Sequence, residues 1–346
     1  MKKKSTFSIV LFFMMPVLCQ AQNPSEFLPD KPGKWSYSGN IKMPGADYAS
    51  FNKNLSALAE WFHQNTPMLK NPAGYDLHAV SYGISNDDYK NNAANYGLRS
   101  EMVFAFQLFL SDLSRGGKWM VEPPEYNFYI NNTETGHGTN SNYKYFSVSE
   151  YDPFGVKNFS PAQEKAINEA VVKLNGIFAV FPFAKEMAPG VHIYKESADG
   201  YFHHIIVYNP ERPPYWLPVT LRELANFYLE YYTSQKDEFL LPQLKKEIAE
   251  YSDEELNAPA YFGHDTHYVL RANGNNEGLQ LMRFNPGYWD KSLPQSAIQF
   301  MTFNYPQMND DQMEESYRNN GRPQYGQLLV NQINWSDVAR LILKGK

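Results

Sequence analysis

Cysteine is almost absent from this chain of 346 residues. The one cysteine, Cys19, lies in an apolar segment near the start of the sequence. The rest of the chain therefore excludes disulfides, cysteine nucleophiles, thiolate zinc sites and iron–sulfur clusters. A domain without disulfides depends on its hydrophobic core for stability, and a chain of this length can bury enough apolar surface to form one.

Runs of Lys and Arg are lacking after the first four residues. The chain has 31 Lys and Arg against 37 Asp and Glu, which gives a formal net charge of −6. A protein that holds nucleic acid needs a basic surface, because Lys and Arg displace the counterions of the phosphates. The charge pattern argues against nucleic acid and anionic membrane surfaces as partners.

Motifs for nucleotide cofactors and for serine catalysis are also missing. The sequence contains neither a dinucleotide-binding fingerprint nor a Gly-rich phosphate loop. It also lacks the nucleophile elbow and the full motif set of the penicillin-recognising enzymes. We expect no cofactor, although a catalytic triad dispersed along the chain remains open, because triads are defined by geometry rather than by spacing.

The longest apolar run, Phe7–Cys19, follows the basic residues Lys2–Lys4. It is shorter than the roughly 20 residues that span a bilayer as a helix. A basic start, a short apolar segment and a small residue before a polar chain are typical of a cleaved secretory signal. The sequence predicts cleavage after Ala21 and an exported protein, periplasmic or extracellular, with no transmembrane segment after signal removal. The alternative is a lipoprotein acylated on Cys19, but Leu18 stands where a small residue is expected.

The patterns in the remaining sequence favour an α+β fold, with antiparallel sheets and a few amphipathic helices. Apolar residues at helical spacing predict a helix around 51–62, and Ser160 followed by Gln163 predicts a helix start. Apolar and aromatic runs joined by short turns predict strands, as in the hairpin of Val191–Lys195 with 201–208. Connections this short join antiparallel strands, because a parallel crossover needs a dozen residues or more.

The order of these elements suggests a domain organisation. Residues 1–21 form the predicted signal, and residues 22–47 form an extended lead-in rich in Pro and Gly. The order of a helix followed by strands occurs twice, so we expect two α+β lobes of similar organisation, 48–155 and 156–346.

Histidines supply one set of candidate site residues. His264, Asp265 and His267 combine imidazole and carboxylate groups that can hold zinc or another divalent ion, which would activate water in a metal-assisted hydrolase. His203 and His204 are adjacent in a predicted strand, so we expect one to face the core and the other to face solvent.

Aromatic residues make up 16% of the chain and supply the second set. Tyr215, Trp216, Tyr288 and Trp289 lie near turns, where rings are often exposed, and exposed rings bind sugars or peptides by apolar stacking. The leading hypothesis is a non-catalytic exported protein of the cell envelope that binds a ligand or partner, a glycan or an envelope protein, through these four aromatics. The alternatives are the exported hydrolase and an envelope scaffold protein.

Overall fold

The computed structural model describes residues 27–39, 41–42, 48–84, 96–111, 123–132, 139–144, 159–195, 202–262, 279–320 and 323–343. The strands within these ranges are β1 (Trp35–Gly39), β2 (Tyr75–Gly83), β3 (Ser100–Leu108), β4 (Glu125–Ile130), β5 (Thr139–Lys144), β6 (Ile177–Val180), β7 (Phe183–Ala188), β8 (Val191–Lys195), β9 (Phe202–Tyr208), β10 (Trp216–Pro218), β11 (Tyr261–Phe262), β12 (Leu279–Phe284) and β13 (Phe300–Pro306). The helices are α1 (Tyr48–Asn65), α2 (Pro67–Lys70), α3 (Pro161–Asn175), α4 (Leu221–Gln235), α5 (Leu240–Glu250), α6 (Asp253–Asn257), α7 (Asp310–Asn320), α8 (Tyr325–Gln332) and α9 (Trp335–Leu343).

Two sheets organise the fold. The large sheet has the strand order β1-β2-β3-β4-β13-β9-β8-β7. The small sheet has the order β10-β12-β6-β5, and β11 also pairs with β12. Neighbouring strands are antiparallel except for β1 and β2, which run parallel. The predicted α+β class is confirmed.

Helices cover one face of the large sheet. The predicted apolar stripe of α1 is buried in this layer together with side chains from α2, α8 and α9. Phenylalanine rings fill its centre: the ring of Phe128 lies 4.8 Å from that of Phe62 on α1 and 4.4 Å from that of Phe303 on β13. Burial of such large apolar side chains is the main stabilising contribution to this half of the fold.

The small sheet lies between the large sheet and a second helical layer. Its outer face packs on α3 and α4 through a cluster that includes Leu174, Leu224 and Leu281. Its inner face meets the uncovered half of the large sheet, where Phe284 of β12 packs with Ile206 of β9 and Phe300 of β13. The layers therefore run helix, large sheet, small sheet, helix.

Strands from both predicted lobes share the large sheet. β1 to β4 precede residue 155, whereas β7, β8, β9 and β13 follow it. Residues on both sides of the predicted boundary near 155 therefore contribute to one sheet, and residues 145–158 lie outside the described ranges. Part of the predicted lead-in is also ordered as β1, which pairs with β2 along five residues.

Side-chain caps define where three helices begin. The hydroxyl of Thr220 accepts a hydrogen bond from the backbone N–H of Glu223 at the start of α4, and Ser252 does the same for Glu255 at α6. Ser160 and Gln163 bond to each other at the start of α3, as the sequence predicts. Such caps satisfy backbone N–H groups that the first helical turn leaves free.

None of the helices in the described part of the chain is long and apolar enough to cross a membrane.

Candidate functional site

The face of β8 that points toward the small sheet carries a histidine and a tyrosine. Side chains alternate along a strand, so His192 and Tyr194 share one face while Val191 and Ile193 pack under the helices. The pairing of β8 with β9 sets Tyr194 opposite His204 and His192 opposite Ile206. These polar side chains lie at the end of the large sheet nearest its edge strand β7.

A groove of about 320 Å³ opens between this end of the large sheet and the small sheet. Its lining comes from the end of β6, the start of β7 and their connection, and from β8, β10, β11 and β12: Val180, Phe181, Pro182, Phe183, Tyr194, Trp216, Tyr261, Leu279, Gln280 and Met282. Phe183 is 55% exposed, so the groove is open to solvent at that side. A volume of this size lies at the lower end of the range of small-molecule pockets, about 300–1,000 Å³.

Four side chains beside the groove form a continuous chain of hydrogen bonds, the tyrosine–histidine chain Tyr194–Tyr215–His192–Tyr208. The hydroxyls of Tyr194 and Tyr215 are 2.7 Å apart, and the hydroxyl of Tyr215 is 2.7 Å from Nδ1 of His192. The hydroxyl of Tyr208 is 2.7 Å from Nε2 of the same imidazole. The exposed ring of Phe183 contacts the rings of both His192 and Tyr194 edge-on. The chain therefore starts at a groove residue and passes through both imidazole nitrogens.

Burial keeps the groups of this chain neutral. It lowers the pKa of His192, and the negative charge of Glu186 opposes that effect only in part. It raises the pKa of Tyr215 well above the usual tyrosine value and that of Tyr208 to about 12. A neutral imidazole donates one hydrogen bond and accepts another, as this chain requires.

A second set of hydrogen bonds fixes the segment that carries Tyr215. The hydroxyl of Tyr288 donates to the carbonyl of Gln299 (2.6 Å) and accepts from the backbone N–H of Asn209 (2.9 Å). The guanidinium of Arg212 donates to the backbone carbonyls of Tyr288 (2.8 Å) and Trp289 (2.7 Å). These bonds connect the polypeptide segment before β10 to the turn after β12, so Tyr215 is held between the sheets.

The structure brings the four predicted aromatics together but buries them. Tyr215, Trp216, Tyr288 and Trp289 belong to one cluster between the sheets, and each is at most 7% exposed. The prediction that these rings are exposed is wrong, because they pack with side chains of both sheets in the layer between them. Trp216 still lines the groove, and Tyr215 is the second member of the tyrosine–histidine chain. Tyr288 and Trp289 accept hydrogen bonds from Arg212 and so hold the segment that carries Tyr215.

The histidine predictions have different outcomes. His264, Asp265 and His267 lie outside the described residues, so the metal site they suggest stays a prediction. Across the described ranges, no three His, Cys, Asp or Glu side chains are grouped as a metal ion requires.

The adjacent pair His203 and His204 is buried on both faces of β9. His203 lies edge-on to Tyr305 on the helix-covered side, and His204 stacks on Phe181 and bonds to Asn304 at 2.8 Å on the other side. The prediction that one of the two faces solvent is wrong, because the small sheet covers the second face as well.

Sequence reasoning did not single out His192, Tyr194, Tyr208 or Phe183. The alternation of side chains in Val191–Lys195 could have indicated part of the site, since it places His192 and Tyr194 on one face of the strand. Their partner Tyr215 comes from a separate segment, and nothing in the sequence pattern links the two.

Comparison of the chain with protein-family models, curated proteins and solved structures found no match.

Proposed function

We propose that this is an exported cell-envelope protein that binds a glycan in the groove between its two sheets. The observation that supports this proposal is the lining of the groove by five aromatic side chains, Phe181, Phe183, Tyr194, Trp216 and Tyr261. Aromatic faces stack on the apolar faces of sugar rings, which is the interaction that the sequence already suggested for this protein.

Polar groups in the same lining favour a glycan over a purely apolar ligand. Tyr194 and Tyr261 bring hydroxyls and Gln280 brings an amide, which together offer both hydrogen-bond donors and acceptors. A few polar groups among apolar walls are typical of sites that fix the orientation of a small ligand. A sugar presents an apolar ring face and a rim of hydroxyls, so it matches both parts of the lining.

Export is the second part of the proposal. It depends on the N-terminal sequence, where Lys2–Lys4 precede the apolar run Phe7–Cys19 and a small residue, Ala21. N-terminal sequencing of the protein from its native envelope or medium checks it. A start at Gln22 is expected, and a chain that retains Met1 would contradict export by this signal.

The ligand is tested by thermal unfolding of the purified protein with a panel of neutral oligosaccharides and peptidoglycan fragments. A ligand at 100 times its dissociation constant stabilises the folded state by about 2.7 kcal/mol, which raises the melting temperature by a few degrees. We expect at least one glycan to produce such a rise. A rise with a divalent metal that a chelator reverses, without any glycan effect, would contradict the proposal and favour the metal-assisted hydrolase.

The location of the site is tested with Phe183→Ala. This ring is exposed, so its removal leaves the core intact, whereas truncation of the buried Trp216 would disturb packing. We expect the glycan affinity to fall about tenfold, which corresponds to about 1.4 kcal/mol of lost stacking. The matched control is Phe239→Ala, which removes a 70% exposed phenylalanine that does not line the groove. Equal affinities of the two variants would place the ligand elsewhere.

A further inference from the structure

The hydrogen atoms of the tyrosine–histidine chain can be counted. Each of its three tyrosine hydroxyls carries one hydrogen atom, and a neutral imidazole carries one on nitrogen. Three hydrogen bonds join the four groups. Three of the four hydrogen atoms are used inside the chain, and the fourth points out of it. Tyr215 could in principle accept from both neighbours, but its own hydrogen would then be buried without an acceptor among the described residues. The fourth hydrogen therefore belongs to one end of the chain, either Tyr194 or Tyr208.

Two arrangements satisfy this count. In the first, Tyr208 donates to Nε2 of His192, the Nδ1–H group donates to Tyr215, and Tyr215 donates to Tyr194, whose own hydrogen points out of the chain. In the second, every bond is reversed: Tyr194 donates to Tyr215, Tyr215 donates to Nδ1, and the Nε2–H group donates to Tyr208. The tautomer of His192 therefore determines whether the Tyr194 end of the chain is an outward donor or an outward acceptor.

The hydroxyls at both ends of the tyrosine–histidine chain can each form a further hydrogen bond. Within the described ranges, the hydroxyls of Tyr194 and Tyr208 have no partner other than the chain itself. Tyr194 lines the groove, so the arrangement of the chain sets the polarity that this residue offers to a ligand.

A carboxylate lies at the opposite end. Glu186 of β7 pairs directly across from His192 in the sheet, and its negative charge acts on both His192 and Tyr208. An O–H dipole whose hydrogen points outward at Tyr208 is stabilised by a nearby negative charge. This charge favours the second arrangement, in which His192 carries its hydrogen on Nε2.

We propose that Glu186 holds the chain in the second arrangement, so that Tyr194 offers an acceptor oxygen to the groove and selects ligands that donate a hydrogen bond there, as a sugar hydroxyl does. The identity of the ligand rests on the proposed function, whereas the arrangement of the chain does not. A ligand group that can only accept would have to reverse all three bonds. Tyr194 and Glu186 are therefore specificity-determining residues that act from the two ends of one hydrogen-bond chain.

The test is the tautomer of His192, read from ¹⁵N NMR of the protein labelled on histidine and without any ligand. The His192 signals are assigned by their loss in His192→Gln. We expect the Nε2–H tautomer in the wild-type protein. In Glu186→Gln the ratio of Nε2–H to Nδ1–H should fall on the order of threefold, as expected for the loss of one surface charge interaction. A dominant Nδ1–H tautomer in the wild type, or an unchanged ratio in Glu186→Gln, would overturn the proposal.

The matched control is Glu125→Gln. Glu125 is an exposed residue of β4, a strand that two other strands, β13 and β9, separate from β8 in the large sheet. It should leave the ratio unchanged, and an equal fall in both variants would mean that net charge, rather than the position of Glu186, sets the tautomer.

Addition of a glycan from the thermal panel separates this inference from the proposed function. Binding that retains the Nε2–H tautomer supports both. Binding that converts His192 to Nδ1–H overturns the selection of donors while the groove remains the site. If no glycan binds, the proposed function fails, and the tautomer in the free protein still decides the arrangement of the chain.

Discussion

The two faces of the large sheet are built by the same strands but carry different side chains. On the helix-covered face, Phe128 and Phe303 stack in an apolar layer. On the face toward the small sheet, neighbouring positions of β9 and β13 carry His204, Thr302 and Asn304, of which His204 and Asn304 bond to each other. The first face needs only complementary shape, whereas the second must also satisfy buried polar groups. The face toward the small sheet is therefore the one on which polar side chains are held in fixed positions beside the groove.

The largest effect is expected on the helix-covered face. Phe128→Ala removes a fully buried ring that packs on three other phenylalanines, so the free energy of unfolding should fall by about 3–5 kcal/mol. Denaturant unfolding measures the loss. Phe183→Ala, the same substitution at the rim of the groove, should change it by less than about 0.5 kcal/mol. Similar losses in both variants would remove the distinction between a packing face and a binding face.

An effect of intermediate size is expected from acid, through the buried His204. Burial lowers the pKa of His204 to about 4, while the unfolded chain has the ordinary value near 6.5. Between pH 6.5 and about 4 this histidine is protonated in the unfolded state but neutral in the folded state. The free energy of unfolding therefore falls as the pH drops through that range, and His204 changes it no further below about pH 4. The loss over the range should be about 3 kcal/mol.

The pH effect is measured by comparing unfolding at pH 7 and pH 4 in the wild type and in His204→Asn. The variant should lose about 3 kcal/mol less than the wild type between the two conditions. His78→Asn, at a histidine on the partly exposed surface of β2, serves as the control and should follow the wild type. A wild-type pH dependence that survives in His204→Asn would show that other groups cause it.

A smaller effect is expected within the tyrosine–histidine chain. Tyr215→Phe removes the hydroxyl that bonds to both His192 and Tyr194, so the buried hydroxyl of Tyr194 and Nδ1 of the half-buried His192 lose this partner. The unfolding free energy should fall by about 1–3 kcal/mol. Tyr82→Phe removes the hydroxyl of a 55% exposed tyrosine and should be neutral within about 0.5 kcal/mol. If Tyr215→Phe is equally neutral, the chain contributes nothing to the stability of this face.

Elements with a strong local pattern were predictable from the sequence. The stripe of α1 and the Ser160–Gln163 start of α3 depend on spacing within a few residues, and the structure has them where the sequence places them. Strand β13 was not predicted. It is buried on both faces at the centre of the large sheet, so its sequence lacks the alternation that marks a half-buried strand.

The candidate site was predictable only in part. The aromatic surplus led to Trp216 and Tyr215, which belong to the groove and to its hydrogen-bond chain. Their burial was not predictable, because it depends on the small sheet, which is assembled from β5, β6, β10, β11 and β12 far apart in the sequence. The role of His192 has the same origin, since its two partners lie on different segments.

The most direct test of the groove as the binding site is methyl NMR of the protein labelled on methionine, titrated with the glycan that gives the largest thermal shift. Met282 lines the groove, whereas Met102 and Met301 are buried under the helices on the other face of the large sheet. We predict that the Met282 methyl signal moves during the titration while those of Met102 and Met301 stay in place. A titration that leaves Met282 unchanged while other methionines move would contradict the account.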